Sequence, residues 1–451
     1  MSALRRPVRQ PLLARSAGQR RHHVLDSRTL LKDPALVAGR LVARGVDAAA
    51  VDRTVAALTR SRDALRRLEE ARSQTRQRST QLARTVREAA LDSEALRSEL
   101  KSERERVSLL EQAHQHAEEE YRSLMLALPN LPAAGTPSGL EEAQNVVLRE
   151  SGPPVSQSGR ANQHWDTATA LNWWDPGRAA KMSGAGFPVL RGDGARLLRS
   201  LISFGLDLHR PTYEELLLPQ FVREEAMFGS GHLPKFGDGV YRMADGDLYA
   251  VPTGEVPMTA LHRDELFAEA DLPHLSMLHT ACFRKEAGSA GADARGMQRL
   301  HEYHQIELSR IVTPETSEEH FRALLADSER ALQLLQLPYR VLDVCSGRLP
   351  FAAARAYRLD VYALGLRRWL PVSTVALFTD FQARRSRIRT RTAAGNVFVH
   401  TLNASAVAAS RLWAVLIENC REDDGTIHLP ACLHPYMGKE RALIGTETGA
   451  R

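Results

Sequence analysis

Between Val46 and Leu128 the chain has neither a glycine nor a proline, although the whole sequence contains 29 and 22 of them. Both residues weaken or break helical backbone, so a stretch this long without them predicts extended helix. Its second half carries an apolar stripe, Leu100, Val107, Leu110, Ala117, Tyr121, Leu124 and Leu128, at heptad-like spacing. Such a seam suits a coiled coil. The first half, with Val51, Val55, Leu58, Leu65, Leu68, Leu82 and Val86, is looser. One continuous helix would exceed ~100 Å at ~1.5 Å per residue. Folding back near Ala89–Glu94 gives an antiparallel hairpin that buries both seams at half the length. Pro129-Asn130-Leu131-Pro132 then stops the helix, because proline cannot continue it.

The front helix of this hairpin holds Arg60, Arg62, Arg66, Arg67, Arg72, Arg76, Arg78, Arg84 and Arg87 against Asp63, Glu69 and Glu70. An arginine-rich helix can follow the phosphates of a folded RNA. The same residues also fit a solvated face with intrahelical ion pairs, or a dimerising coiled coil with no RNA. The formal net charge is only +6, so the bias matters where it is localised. Cys282, Cys345, Cys420 and Cys432 form no Cys-x-x-Cys pair, which reads as buried thiols in a reducing compartment. No apolar run approaches the ~18 residues of a membrane span, so no membrane partner is expected. The first 23 residues carry six arginines and no acid. They fit either a mitochondrial import peptide or the basic tail of a cytoplasmic protein.

Chain character divides the sequence into a basic tail (1–23), a helical arm (24–130), a polar linker (131–163) and a body of mixed strands and helices (164–451). The body has no glycine-rich strand-to-helix fingerprint and no Walker loop, which disfavours Rossmann and P-loop sites. Its densest chemistry is Cys282-Phe283-Arg284-Lys285-Glu286-Ala287-Gly288-Ser289-Ala290-Gly291, continuing through Arg295-Gly296 to His301-Glu302-Tyr303-His304-Gln305-Ile306-Glu307. An enzyme that joins a carboxylate to AMP must orient a triphosphate and neutralise charge on the transferring phosphoryl group. Arginine suits both tasks because its fork holds two oxygens at once. Arg284 and Arg411 are the candidates.

This fragment resembles the second signature motif of class II aminoacyl-tRNA synthetases, and within them it is most similar to seryl-tRNA synthetases of bacterial type. Val251-Pro252-Thr253-Gly254-Glu255-Val256-Pro257, Asp380-Phe381-Gln382-Ala383-Arg384-Arg385 and Val399-His400-Thr401-Leu402-Asn403-Ala404-Ser405 carry the likeness further. The resemblance implies an α+β fold: an N-terminal antiparallel coiled-coil hairpin, then a catalytic domain whose mixed, mostly antiparallel sheet is flanked by helices. It implies activation of serine with ATP and Mg2+, then transfer to tRNA(Ser), by a homodimer. It assigns ATP to Arg284, Glu286, Tyr303 and Arg411, with catalysis by the two arginines. Glu286 would accept from the adenine amino group and Tyr303 would stack on the ring, although each also fits an ordinary structural role. Serine falls to Thr253, Glu255, Glu307, Asn403 and Ser405. The long variable arm of the tRNA falls to the hairpin and its Arg76, Arg78, Arg84 and Arg87.

The likeness breaks at Arg368-Trp369-Leu370-Pro371-Val372-Ser373-Thr374-Val375-Ala376-Leu377. Counting back without gaps from Asp380-Phe381-Gln382, Pro371 stands where the family has a glutamate that helps hold metal-bound ATP. Thr374 replaces a serine and Leu377 an asparagine. Proline supplies no metal-binding carboxylate, so the metal ligands are unassigned. Ala404 and Ala406 replace family glycines, and their methyl groups are expected to narrow the pocket. Two readings follow. A register shift could bring Asp360 or another acid to the metal, or the chain is a divergent paralogue that binds tRNA or activates a related amino acid.

Overall fold

The computed structural model describes residues 25–88, 93–153, 162–286, 295–438 and 443–444. Two short helices open it, α1 (Ser27–Lys32) and α2 (Pro34–Val42), each N-capped by an aspartate side chain, Asp26 and Asp33. The hairpin follows as α3 (Ala48–Glu88) and α4 (Ser93–Ala127). Their pairing is antiparallel: Arg60 meets Glu120 at 2.7 Å, Arg72 meets Glu111 at 2.7 Å, and Arg78 pairs with Glu103. Residues 89–92 of the expected fold-back lie outside the described residues. The apolar seam is buried toward the body at Leu58, Leu68, Tyr121 and Met125, and only half-buried at Val107 and Leu110.

The base of the arm shares a core with the body. Leu30, Leu41, Val51, Leu58 and Met125 pack in one cluster with Ala353, Ala376, Phe378 and Phe381. Arg44 closes the same junction. Its guanidinium donates to the carbonyls of Asn130 (2.7 Å), Leu349 (2.9 Å), Pro350 (2.8 Å) and Ala353 (2.9 Å). Burial lowers its pKa to about 10, yet the carbonyls give partners to both terminal nitrogens of the fork.

The body is built on eight strands: β1 (Val146–Ser151), β2 (Glu214–Leu216), β3 (His274–Phe283), β4 (Glu302–Val312), β5 (Tyr339–Asp343), β6 (Arg355–Ala363), β7 (Arg368–Thr379) and β8 (His400–Val407). Their order is β1-β5-β6-β7-β8-β4-β3-β2, antiparallel throughout except for the β2–β3 pair. The segment 131–163, read from its polarity as a linker, supplies β1 as the edge strand of this sheet. All six residues of β1 are exposed, Val146, Val147 and Leu148 included, so its short apolar run does not mark a buried strand.

Alternation along the strands separates the two faces. Ile306, Leu308, Val375, Leu377, Leu402, Ala404 and Ala406 enter one large core with α5 (Gly192–His209), α6 (Ser317–Leu334) and the helix Ala409–Asn419. Glu307, Asn403, Ser405, Thr374, Pro371, Arg358 and Asp360 therefore share the opposite face, where cross-strand pairs align Glu307 with Ser405 and Pro371 with Asp360. The methyl groups of Ala404 and Ala406 fill the core. The expectation that they narrow the pocket fails for this reason of parity, and Leu377 likewise points into the core.

Arg44→Met should cost about 2–3 kcal/mol, because several carbonyls lose a charged donor at a partly buried junction. A urea melt of the purified chain checks this, with Arg44→Lys recovering only part of the loss.

Candidate active site

The pocket starts from a close backbone approach. A Cβ on Gly254 would sit 2.9 Å from the Glu307 side chain, so glycine lets the Thr253-Gly254-Glu255 turn press against β4. Thr253 Oγ1 then donates to Glu307 Oε1 at 2.8 Å, and Ser405 Oγ lies 3.3 Å from the same oxygen. Glu255 opens a short helix (Glu255–Leu261), and its carboxylate accepts from Gln382 Nε2 at 2.6 Å. Gln382 is itself fixed by Thr401 Oγ1, which donates to its Oε1 at 2.8 Å.

Two carboxyl groups thus face one small volume. Burial, and then the nearby Glu307, push the pKa of Glu255 up to about 8. Burial also raises that of Glu307. Hydrogen bonds from Thr253, Asn403 and Ser405 oppose that rise, so the buried Glu307 carboxyl is held by three polar side chains. Polar groups buried in such a site carry a desolvation cost, and a small polar ligand offering further hydrogen bonds would offset it. An ammonium group entering there would also relieve the carboxylate repulsion.

The arginines converge beside this volume. Arg284 Nε donates to the Pro252 carbonyl at 3.1 Å, and its guanidinium lies 5.1 Å from the ring centre of Tyr303. The Tyr303 hydroxyl donates to the same carbonyl at 2.7 Å. One face of the Tyr303 ring is therefore occupied by Arg284, and the ring acts as a platform for that guanidinium. Arg411, near the start of the helix Ala409–Asn419, donates from Nη1 to the Pro371 carbonyl at 2.6 Å. Burial and the neighbouring Arg284 lower its pKa. Glu286 is held by Arg299. The loop between them, residues 287–294, lies outside the described residues.

Several positioning residues are not among the candidate site residues, although Glu418 lies in a segment, Glu418-Asn419, that resembles the family. His164 and Glu418 form a fully buried pair at 2.6 Å. His164 Nε2 accepts from the Met297 amide at 3.1 Å, and Glu418 Oε2 accepts from the Gly365 and Leu366 amides. Gln382 was visible only as part of the Asp-Phe-Gln-Ala-Arg-Arg motif. On the arm, Arg72, Arg76 and Arg104 line a groove of about 410 Å³. Arg76 is exposed, whereas Arg78 is engaged by Glu103. The side chains of Arg84 and Arg87 lie outside the described residues.

The magnesium that the resemblance implies does not fit the residues present. Pro371 offers only a backbone carbonyl, already bonded to Arg411. Asp360 does face the catalytic side opposite Pro371, across a bulge in the β6–β7 pairing. Its two oxygens accept from Arg340 and Arg358 at 2.7–3.1 Å. A register shift therefore does not release it as a ligand. Among the described residues no trio of His, Cys, Asp or Glu is placed to hold a metal ion.

An antiparallel sheet with paired arginines over a carboxylate-lined pocket, joined to a helical hairpin, defines a class II aminoacyl-tRNA synthetase. The family described as the tRNA synthetase class II core domain (G, H, P, S and T) matches residues 241–420. The seryl-tRNA synthetase N-terminal domain matches residues 24–132. The serine–tRNA ligase of Gemmatimonas aurantiaca is 42% identical over 374 residues, covering 82% of this chain and 88% of that protein. That of Synechococcus sp. (strain RCC307) is 41% identical over 427 residues, covering 93% and 99%. The crystal structure of seryl-tRNA synthetase from Pyrococcus horikoshii complexed with ATP aligns with a TM-score of 0.85 at 29% identity, over 93% of this chain and all of that one. The chain belongs to the seryl-tRNA synthetase family.

The raised pKa of Glu255 has a measurable sign. From its ordinary value of 4.5 up to about 8 the folded chain holds a proton that the unfolded chain has lost. Stability therefore falls as pH rises through that window. Glu255→Gln removes that residue's share of the slope, so thermal melts at rising pH should show the variant gaining on the parent by several degrees, on the order expected for a shift of this kind.

Proposed function

We propose that this chain activates serine with ATP as seryl-adenylate and transfers the seryl group to tRNA(Ser). The observation that carries this reading is the buried Glu307 carboxyl, set by Thr253, Asn403 and Ser405 beside Glu255, in a pocket next to Arg284 and Arg411. Glu255 receives the α-ammonium, and Glu307 with Asn403 and Ser405 receives the hydroxyl. An alanine side chain would leave those groups unpaired, which is how such a site selects serine.

Arg284 and Arg411 orient the serine carboxylate and the α-phosphate. A carboxylate oxygen attacks the α-phosphorus and pyrophosphate leaves with the electrons of the broken P–O bond. The guanidinium groups stabilise the charge that builds on the transferring phosphoryl group. A terminal hydroxyl of the tRNA then attacks the seryl carbonyl, and AMP departs. Glu286, paired with Arg299, bounds the adenine end, and Tyr303 serves by holding Arg284. Magnesium accompanies ATP as its solution counter-ion and enters no step here.

The hairpin receives the long variable arm of the tRNA through its arginine-lined groove, and two chains assemble as a homodimer. No described helix is long and apolar enough to cross a membrane. We place the chain in the cytoplasm, with mitochondrial import as the alternative that the arginine-rich, acid-free segment 1–23 suggests.

Pro371 favours a second reading, in which a divergent paralogue keeps tRNA binding and loses or redirects activation. Amino-acid-dependent ATP–pyrophosphate exchange separates the two. Exchange with serine supports the ligase, exchange with another amino acid redirects the assignment to a biosynthetic ligase, and no exchange in a folded chain favours the RNA-binding paralogue. Arg284→Ala should lower exchange by about 100-fold or more while sparing tRNA affinity in a filter-binding assay. Arg76→Glu should do the reverse, weakening tRNA binding by about tenfold with adenylate formation unchanged.

A further inference from the structure

The catalytic face has an excess of cation over available carboxylate that bears on how the nucleotide is held, given the ligase reading above. Among the described residues its acids are committed. Glu255 and Glu307 belong to the amino-acid end, and Glu286 is paired with Arg299. Asp360, with its side chain 1% exposed, is enclosed by Arg340 and Arg358. Arg358 is in turn paired with Glu142, so removing one partner does not empty the cluster. Arg340 also lies over the Trp369 ring at 4.8 Å, which fixes its orientation toward Asp360.

The strand that could have presented an acid presents Pro371 instead. Its carbonyl oxygen is a ligand for Arg411, whose fork it aims across the sheet. Hard divalent cations need oxygen ligands, most effectively carboxylates, and magnesium tolerates little departure from octahedral geometry. Guanidinium groups supply the same neutralisation of phosphate through directed hydrogen bonds, without a bound ion.

We propose that this chain holds the triphosphate of ATP through Arg284 and Arg411 with no protein ligand to magnesium, and that Pro371 is the residue that uncouples metal from nucleotide binding. Any magnesium present is carried by phosphate oxygens and water alone. Binding of ATP and binding of metal are then separate equilibria, linked only through the solution chemistry of ATP.

Calorimetric titration of ATP into the full chain, in EDTA and in excess Mg2+, tests this without recourse to turnover. The expected affinities agree within about threefold, since the coupling free energy between metal and nucleotide is small. In Pro371→Glu the same comparison should differ by about tenfold or more in favour of Mg2+. A second readout needs no variant. Free Mn2+, followed by its EPR signal, should bind the protein–ATP complex no more tightly than it binds ATP alone. Loss of ATP affinity in EDTA with recovery in Mg2+, or tighter Mn2+ binding to the complex, overturns the inference and leaves the ligase reading standing. Absence of ATP binding in both conditions overturns the two together.

Discussion

A six-residue helix, Phe381–Ser386, holds the arm and the amino-acid pocket in one frame. Arg385 on this helix is almost fully buried, its guanidinium 4.3 Å from the Phe381 ring centre and within 3.2–3.4 Å of the carbonyls of Phe228, Leu233 and Leu126. Burial lowers its pKa to about 9. A desolvated cation is tolerable only where donors meet acceptors in fixed positions, so the end of the arm at Leu126 cannot drift from the body without exposing that cost. One turn away, Gln382 reaches Glu255 and Thr401. The residue that orients the pocket carboxylate and the residue that anchors the arm thus share a single rigid element.

Strand parity decides which departures from the family pattern have consequences. Leu377, Ala404 and Ala406 lie on the core side of the sheet and act on packing. Pro371 and Thr374 alternate to the catalytic side, opposite Asp360 and Arg358. Neighbouring substitutions in the chain therefore have unlike effects, and the difference is a matter of a single residue of register.

Charge is also partitioned along that face. Carboxylates gather where β4 and β8 pair, around Glu307, and guanidinium groups gather from Arg284 and Arg411 toward Arg358 and Arg340. A substrate with an ammonium at one end and phosphates at the other meets opposite potentials in the order it needs. On the arm, by contrast, glutamates of α4 take up several arginines of α3, leaving the groove around Arg76 as a more selective cationic surface than composition suggested.

The sequence by itself determined the hairpin, through an unbroken absence of glycine and proline and a heptad seam, because helix formation there is governed by local backbone chemistry. It also named candidates that the fold then brings together, since Arg284, Glu255, Glu307 and Arg411 sit in contiguous motifs. What it did not carry was anything that depends on two distant segments meeting. The segment containing β1 became a sheet edge because β5 offered it hydrogen bonds, and its exposed Val146-Val147-Leu148 run is too short to announce that pairing. The burial of His164 on Glu418, the covering of Tyr303 by Arg284 and the enclosure of Asp360 by two arginines were likewise decided by tertiary structure alone. The contacts of Glu418 with His164, of Arg284 with Tyr303 and of Arg340 with Asp360 join segments that meet only when the sheet assembles, and each changes what a side chain can do without changing what it is.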